Sequence, residues 1–325
     1  MKITVYENGK VAVENSEKPA VQQDEVLIRV RACGICGSDV PRVFAGKSYF
    51  YPIVLGHEFS GEVVESPDGE WIGKRVSVFP LIACKECDFC AKEQWANCIK
   101  YDYYGSRRHG GLQEWLAVKK SNLVELPKNV SYNAGAMIEP TAVCLHAVKK
   151  ACVRAGEKVV VYGAGTIGLL CGMWAKSFGA EAVYFVDIDE NKIRTAVSLG
   201  FQKYDGQAVE IAVEASGAGA CLNDALVKVK AFGRVVIVGN VGADVTVKKE
   251  NYSQILRKQL SVFGSWNSDF ASYANDWKES LQAISDEKIQ PEKLITHVFA
   301  LADGDKAFDV IKNREFYNKI MVVSE

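Results

Sequence analysis

Four cysteines, Cys84, Cys87, Cys90 and Cys98, follow one another as C-x2-C-x2-C-x7-C inside "ACKECDFCAKEQWANC". Two-residue gaps let the backbone fold back so that several sulfurs reach one point, and four thiolates at one point suit a tetrahedral zinc ion. Disulfides between such close neighbours are strained. The plain alternative is a reduced, buried cysteine cluster. A zinc held by four thiolates has no open position, so it shapes a loop and does no chemistry.

A second set is dispersed. Cys36 in "CGICGSD" and His57 in "LGHEFSG" both lie in loops beside strand-like runs, and a thiolate with an imidazole again suits zinc. Cys33 and Cys36 also form C-x-x-C, the spacing of a thioredoxin-like redox pair. That reading needs a following helix, and "GSDVPRVFAG" is a poor one. Cys33 alone is a small residue suited to burial. Glu58 and Glu139 are the nearest candidates for further ligands, although most glutamates are surface charges.

A third pattern is "VVVYGAGTIG", which carries G-x-G-x-x-G as Gly163, Gly165 and Gly168 with Ile167 inside it. An apolar strand precedes it and an apolar helix follows. In that setting the first glycine makes the turn, the second admits a pyrophosphate and the third lets helix pack on strand. Asp187 closes the next strand, nineteen residues after Gly168. Its carboxylate suits an adenosine ribose diol and repels a 2′-phosphate, which favours NAD over NADP. An aspartate capping the helix of "IDENK" is the competing reading. Lys192 reads as a solvated lysine, with an adenosine-ribose contact as the lesser alternative.

These groups need elements to hold them. The chain has 325 residues, 48% apolar and 24% charged, with a net charge of −1. That length suits two domains, and the balanced charge argues against nucleic-acid or anionic-membrane binding. No apolar run approaches a membrane span, and the first residues alternate like a strand rather than a signal peptide. Ten cysteines in such a chain point to a reducing cytosol. The first third reads as short strands and turns: "EVLIRVRACGICGSD", "GHEFSGEVVES", "GKRVSVFPLIAC" and "GGLQEWLAVKKSNLVELP". From "SYNAGAMIEPTAVCLHAVKKACV" onward, helical spacing alternates with β-branched strands, the mark of a parallel sheet covered on both faces. The expected domains are 1–140, β-rich with the cysteine lobe at 84–98; 141–275, dinucleotide-binding; and 276–325, a segment returning to the first.

"GICGSD", "YPIVLGHEFSG", the cysteine lobe, "IEPTAVCLHA" and "GAGTIG", in this order, resemble the zinc-dependent medium-chain alcohol and polyol dehydrogenases over essentially the whole chain. The resemblance implies an α/β architecture: a mostly-β, GroES-like catalytic domain plus a doubly wound parallel Rossmann domain. It implies two zinc ions per chain. Cys36, His57 and Glu139 would hold the catalytic one, with Glu58 as a carboxylate that can exchange onto it. Ser38 would take the substrate proton, and Val238 and Ser265 would join the glycine motif around NAD. Some relatives pass that proton to a histidine three residues on; here Pro41 stands there, so exit through water, or via Glu58, is expected. Arg42, Arg107 and Arg108 are candidates for a substrate phosphate, against the reading that they make surface ion pairs. Asn267 stands where sorbitol-type members place an arginine. The implied substrate is a sugar alcohol, specifically a hexitol phosphate such as galactitol 1-phosphate, with sorbitol/L-iditol-type, threonine-type or simple alcohols as alternatives. A different class of reading is a non-catalytic zinc-bearing binding or redox-sensing protein. A homodimer or homotetramer is expected, with a strand of "GRVVIVGNVGADVTV" pairing across a two-fold axis. Two segments are short for the pattern: "GEVVESPDGEWIGKRV" lacks part of the glycine-marked excursion between strands, and between "FQKYDG" and "EIAVEASG" there is too little chain for a crossover helix.

Overall fold

The structure is a computed structural model and describes residues 1–324. The chain forms two compact units: Met1–Glu139 with the segment from Asp269 onward, and Pro140–Ser268.

The first unit is built on a seven-stranded sheet whose organiser is the 11-residue strand Glu25–Ile35. Its sequence, EVLIRVRACGI, is nearly continuous in small and apolar residues because both its faces are covered. Val26, Ile28 and Val30 enter one core with Val63, Val76, Leu116, Val118, Ile320 and Val322. Three antiparallel partners flank this strand: Glu58–Glu65, Trp115–Lys119 and the C-terminal strand Lys319–Val323. The registers matter for chemistry. Gly34 faces Glu58 on one side and Met321 on the other, and Ile35 faces Ile320. The end of the central strand therefore brings Cys36, Glu58 and Lys319 together.

The return segment begins at Asp269, earlier than the expected 276. The reason is aromatic: Phe270 stacks on Phe79 with centroids 4.5 Å apart, and Trp277 meets both rings edge-on. The cysteine lobe leans on the same segment, through Trp95 against Phe270 and through Ser272, whose amide and hydroxyl donate to Glu93.

The second unit is a six-stranded, all-parallel sheet in the order Gln202–Lys203, Ala182–Val186, Lys158–Tyr162, Val209–Glu214, Val229–Ile237, Ser261–Gly264. The order reverses between Lys158–Tyr162 and Val209–Glu214, which is the doubly wound topology with its switch point at the glycine turn. Helices Thr166–Ser177, Glu190–Ser198, Gly219–Lys228 and Lys249–Arg257 connect the strands.

No helix lies between Lys203 and Val209. The sheet face that a crossover helix would cover carries Tyr162 and Tyr184, joined by Tyr204. Their hydroxyls are satisfied locally: Tyr162 donates to Asp224, Tyr204 donates to the Gln207 carbonyl, and Tyr184 accepts from the Gln207 amide. Large side chains with polar tips replace a missing helix without leaving buried groups unpaired. The strand Val229–Ile237, expected to pair across a two-fold axis, lies inside the sheet; the edge belongs to Ser261–Gly264. Among the described residues no helix is long and apolar enough to cross a membrane.

Candidate active site

The local cluster is the simpler one. Cys84, Cys87, Cys90 and Cys98 put one sulfur each within 4.8 Å of the others, and none is in a disulfide. Cys84 and Cys90 Sγ are 3.8 Å apart, which is about the edge of a tetrahedron with ~2.3 Å metal–sulfur bonds. Backbone amides point at the sulfurs. The Cys84 amide donates to Cys98, and the amides of Ile99 and Cys90 pull the Cys87 thiol down to about 6. Lys85 and Glu93 adopt positive φ, at 61° and 52°, to wrap the chain this tightly. Donor chemistry, spacing and amide support all fit a zinc ion.

The second cluster is assembled across the sheet. Cys36, His57 and Glu58 offer donor atoms within 4.8 Å of one another. His57 Nδ1 is buried without a hydrogen bond and lies 3.7 Å from Asp39 Oδ1, which leaves Nε2 as the ring's other donor. A carboxylate behind an imidazole fixes the tautomer of a metal-binding histidine. Asp39 is fully buried; its Oδ2 accepts from the Cys36 amide at 3.1 Å and its Oδ1 accepts from Arg42. Glu139, in the first turn of the helix Ile138–Ala151, accepts from the Tyr103 hydroxyl at 3.2 Å, and the Tyr103 ring meets His57 edge-on.

Electrostatics mark the place. Burial pushes the Glu139 carboxyl up to about 8, and burial with the Glu58 charge pushes the Cys36 thiol up to about 11. Groups this reluctant to ionise call for a cation. A thiol, an imidazole and the Glu58 carboxylate around one point, with Glu139 beside them, fit zinc.

Lys319 is the residue that sequence reasoning missed. Its Nζ donates to both Glu58 oxygens, at 2.7 and 2.6 Å, and to the Ile35 carbonyl at 3.2 Å. Burial alone would drive this ammonium towards neutrality, but the charges of Glu58, Cys36 and Glu139 outweigh it and hold its pKa above the ordinary lysine value. Gly34 is glycine for the same reason: a Cβ there would lie 2.2 Å from Glu58 Oε2. Asp39 and Tyr103 were also missed as functional, although "GICGSD" and "YDYYGSRR" contain them.

The substrate candidates behave differently from one another. Ser38 sits half-buried beside Cys36; its carbonyl and hydroxyl accept from Arg42 at 2.8 and 3.2 Å. Arg42 is thus turned inward onto Ser38 and Asp39. Arg108 pairs with Asp102 at 2.9 Å. Arg107 lies over the rings of Tyr49 and Tyr101.

In the second unit, Gly163 takes φ 96°, and a Cβ on Gly168 would stand 1.8 Å from the Gly163 carbonyl, so the first and third glycines are required by turn and packing. A Cβ on Gly165 would touch nothing within 4 Å. The protein itself does not need that glycine, and a bound phosphate does. Asp187 accepts from the Ala164 amide at 2.7 Å and the Asp189 amide at 2.9 Å, tying its carboxylate to the glycine turn. The cap of the next helix is Asp189, whose side chain accepts from Asn191. Asp187, Val238 and Ser265 each follow the last residue of a strand, at the sheet edge where doubly wound folds bind ligands. Ser265 Oγ is buried without a partner, and Ile167 offers its carbonyl to the Cys144 thiol. Lys192 is partly exposed on its helix. Asn267, at φ 57°, caps the Ser268 amide. These residues fit a dinucleotide.

Comparison with known proteins agrees in both units. Residues 22–128 match the model of the alcohol dehydrogenase GroES-like domain and 166–286 that of zinc-binding dehydrogenases. The chain is 32% identical to galactitol 1-phosphate 5-dehydrogenase of Escherichia coli K12, over 97% of each chain. It is 31% identical to sorbitol dehydrogenase of Bombyx mori, over 93% of this chain and 92% of that one. The crystal structure of galactitol-1-phosphate dehydrogenase from Escherichia coli superposes with a TM-score of 0.93 at 31% identity, covering 99% of both.

Proposed function

Because the chain belongs to the zinc-binding alcohol dehydrogenase family, we propose that it oxidises a secondary alcohol of a sugar alcohol with NAD, and that a hexitol phosphate such as galactitol 1-phosphate is the substrate. The observation that carries this reading is the gathering of Cys36, His57 and Glu58, with Glu139 beside them, at the end of one strand.

When bound, zinc supplies Lewis acidity to the alcohol oxygen and NAD accepts the hydride. The chain's own groups do the rest. Cys36, His57 and Glu139 would hold the metal, and Asp39 orients His57 from behind. Glu58, held on Lys319, keeps a second carboxylate within reach. Ser38 takes the alcohol proton: its hydroxyl accepts from Arg42, which leaves its own O–H free to pass that proton on to water. The products are a ketone, NADH and one proton. Asp187 favours NAD by presenting a carboxylate to the adenosine ribose, with Gly163, Gly165 and Gly168 at the pyrophosphate.

Plain hexitols are the second reading, because a sorbitol dehydrogenase is among the relatives. The exposed edge strand Ser261–Gly264, with Val262 and Phe263 more than a third accessible, supports pairing with a second copy. Thiols that must stay reduced to hold two zinc ions support a cytoplasmic location. The test is a screen of plain and phosphorylated hexitols and pentitols with NAD, following NADH. Turnover of a phosphorylated hexitol is the expected result. Two bound zinc ions with no turnover of any polyol would overturn the reading.

A further inference from the structure

Of the three arginines considered for a substrate phosphate, two are already engaged. Arg42 is bonded to Ser38 and paired with Asp39, and Arg108 is paired with Asp102. Arg107 has no carboxylate partner among the described residues. Instead its guanidinium lies over the ring of Tyr49 and over the ring of Tyr101, 4.4 Å from each centroid, and donates one hydrogen bond to the Tyr49 hydroxyl at 3.1 Å. Packing on two rings holds the exposed guanidinium in place, and the N–H groups that Tyr49 does not take remain for a ligand. The packing also removes rotamer freedom before any ligand arrives, so less is lost on binding.

The placement ties Arg107 to the chemistry. Its backbone amide donates to the Tyr103 carbonyl at 3.0 Å, as the Arg108 amide does at 3.2 Å. Tyr103 is the residue whose hydroxyl touches Glu139 and whose ring meets both His57 and Tyr101. One residue thus links the metal-binding groups to a fixed cation without a counter-charge. An anion carried on the far end of a substrate, away from the reacting carbon, suits that arrangement. A planar fork of donors matches a phosphate monoester by paired hydrogen bonds.

We propose that Arg107 receives the ester phosphate of a phosphorylated polyol, with Tyr49 and Tyr101 as positioning residues. This rests on the polyol reading given above and names what selects the phosphorylated substrate. The test measures kcat/KM for galactitol 1-phosphate and for galactitol in wild type, Arg107→Ala and Arg107→Lys, alongside calorimetric titration of glycerol 1-phosphate into the same zinc-loaded proteins. In Arg107→Ala the ratio of phosphate-ester to plain-hexitol efficiency is expected to fall about 10- to 100-fold, mainly through KM, the loss of charge-assisted hydrogen bonds. Glycerol 1-phosphate binding is expected to weaken in parallel. Arg107→Lys recovers part of both, because a point charge lacks the fork. A ratio within about twofold of wild type (the ordinary scatter of such contacts), or equal glycerol 1-phosphate binding in wild type and Arg107→Ala, overturns the assignment. A wild type that turns over no polyol but still loses glycerol 1-phosphate binding in Arg107→Ala overturns the polyol reading and leaves the anion site standing.

Discussion

The two cysteine-bearing clusters of the first unit differ in how the chain builds them. Cys84, Cys87, Cys90 and Cys98 come from one short stretch, and their sulfurs are met by amides of the same stretch. Cys36, the adjacent His57 and Glu58, and Glu139 come from three separate stretches, and Tyr103 and Lys319 behind them come from two more. The first cluster can satisfy all four coordination positions and anchors a loop onto the return segment. The second stacks burial, a carboxylate pair and a lysine around a point where ionisation is disfavoured. A locally encoded site suits stabilisation; a site gathered by sheet register suits chemistry.

Breaking the local cluster is expected to have the largest effect on the fold. Structural zinc in small motifs contributes on the order of 10 kcal/mol. Cys90→Ser should therefore release one zinc per chain and lower the melting temperature by about 10 °C or more, read by metal analysis and calorimetry. A melting temperature equal to wild type would mean that the lobe does not depend on metal.

Cys36→Ser sharpens the contrast from the other side. It should also remove one zinc per chain and cut turnover by at least about 10³-fold, while its melting temperature stays close to wild type. If Cys36→Ser unfolds the protein as readily as Cys90→Ser does, the division of labour between the clusters is wrong.

Lys319→Met tests the buried pair. It strands the Glu58 carboxylate, and such a change costs roughly 3–5 kcal/mol. Adding Glu58→Gln should restore much of that loss, since no uncompensated charge then remains. Urea unfolding of the single and double variants gives the comparison, and a double variant less stable than Lys319→Met would contradict it.

The last test is in pH. Burial raises the metal-free Glu139 carboxyl to about 8, above its unfolded value of about 4.3. A raised acid stabilises the folded state fully below its unfolded pKa and loses that contribution as pH climbs through the folded one. Chelator-treated protein should thus lose stability between about pH 4.5 and pH 8 from this residue, and Glu139→Gln should flatten the profile in thermal melts. The zinc-loaded protein should show less of this loss, because the cation holds the carboxylate ionised.

The lobe was legible in the sequence because ligands three and eight positions apart need only local chain geometry to converge. The glycine turn and Asp187 were legible for the same reason: strand, turn and helix are neighbours in the chain. Cys36, His57, Glu58 and Glu139 were legible as residue types whose convergence the resemblance implied. Lys319 was not, because it stands 261 residues from Glu58 and looks like any lysine opening a last strand. The direction of Arg42 was also hidden: on a helical turn it can reach back three and four residues to Asp39 and Ser38, and only the folded backbone decides that it does.

What the amino-acid order determined unaided was therefore short-range: the cysteine lobe, the dinucleotide turn, the succession of a β-rich part and an alternating one. The tertiary structure decided which strand lies at the sheet edge, which arginine is left without a counter-charge, and which buried cation stands behind the second metal site. The physical reason is register. Backbone pairing brings residues hundreds of positions apart to within a hydrogen bond, and that pairing is set by the whole sheet rather than by any segment of it.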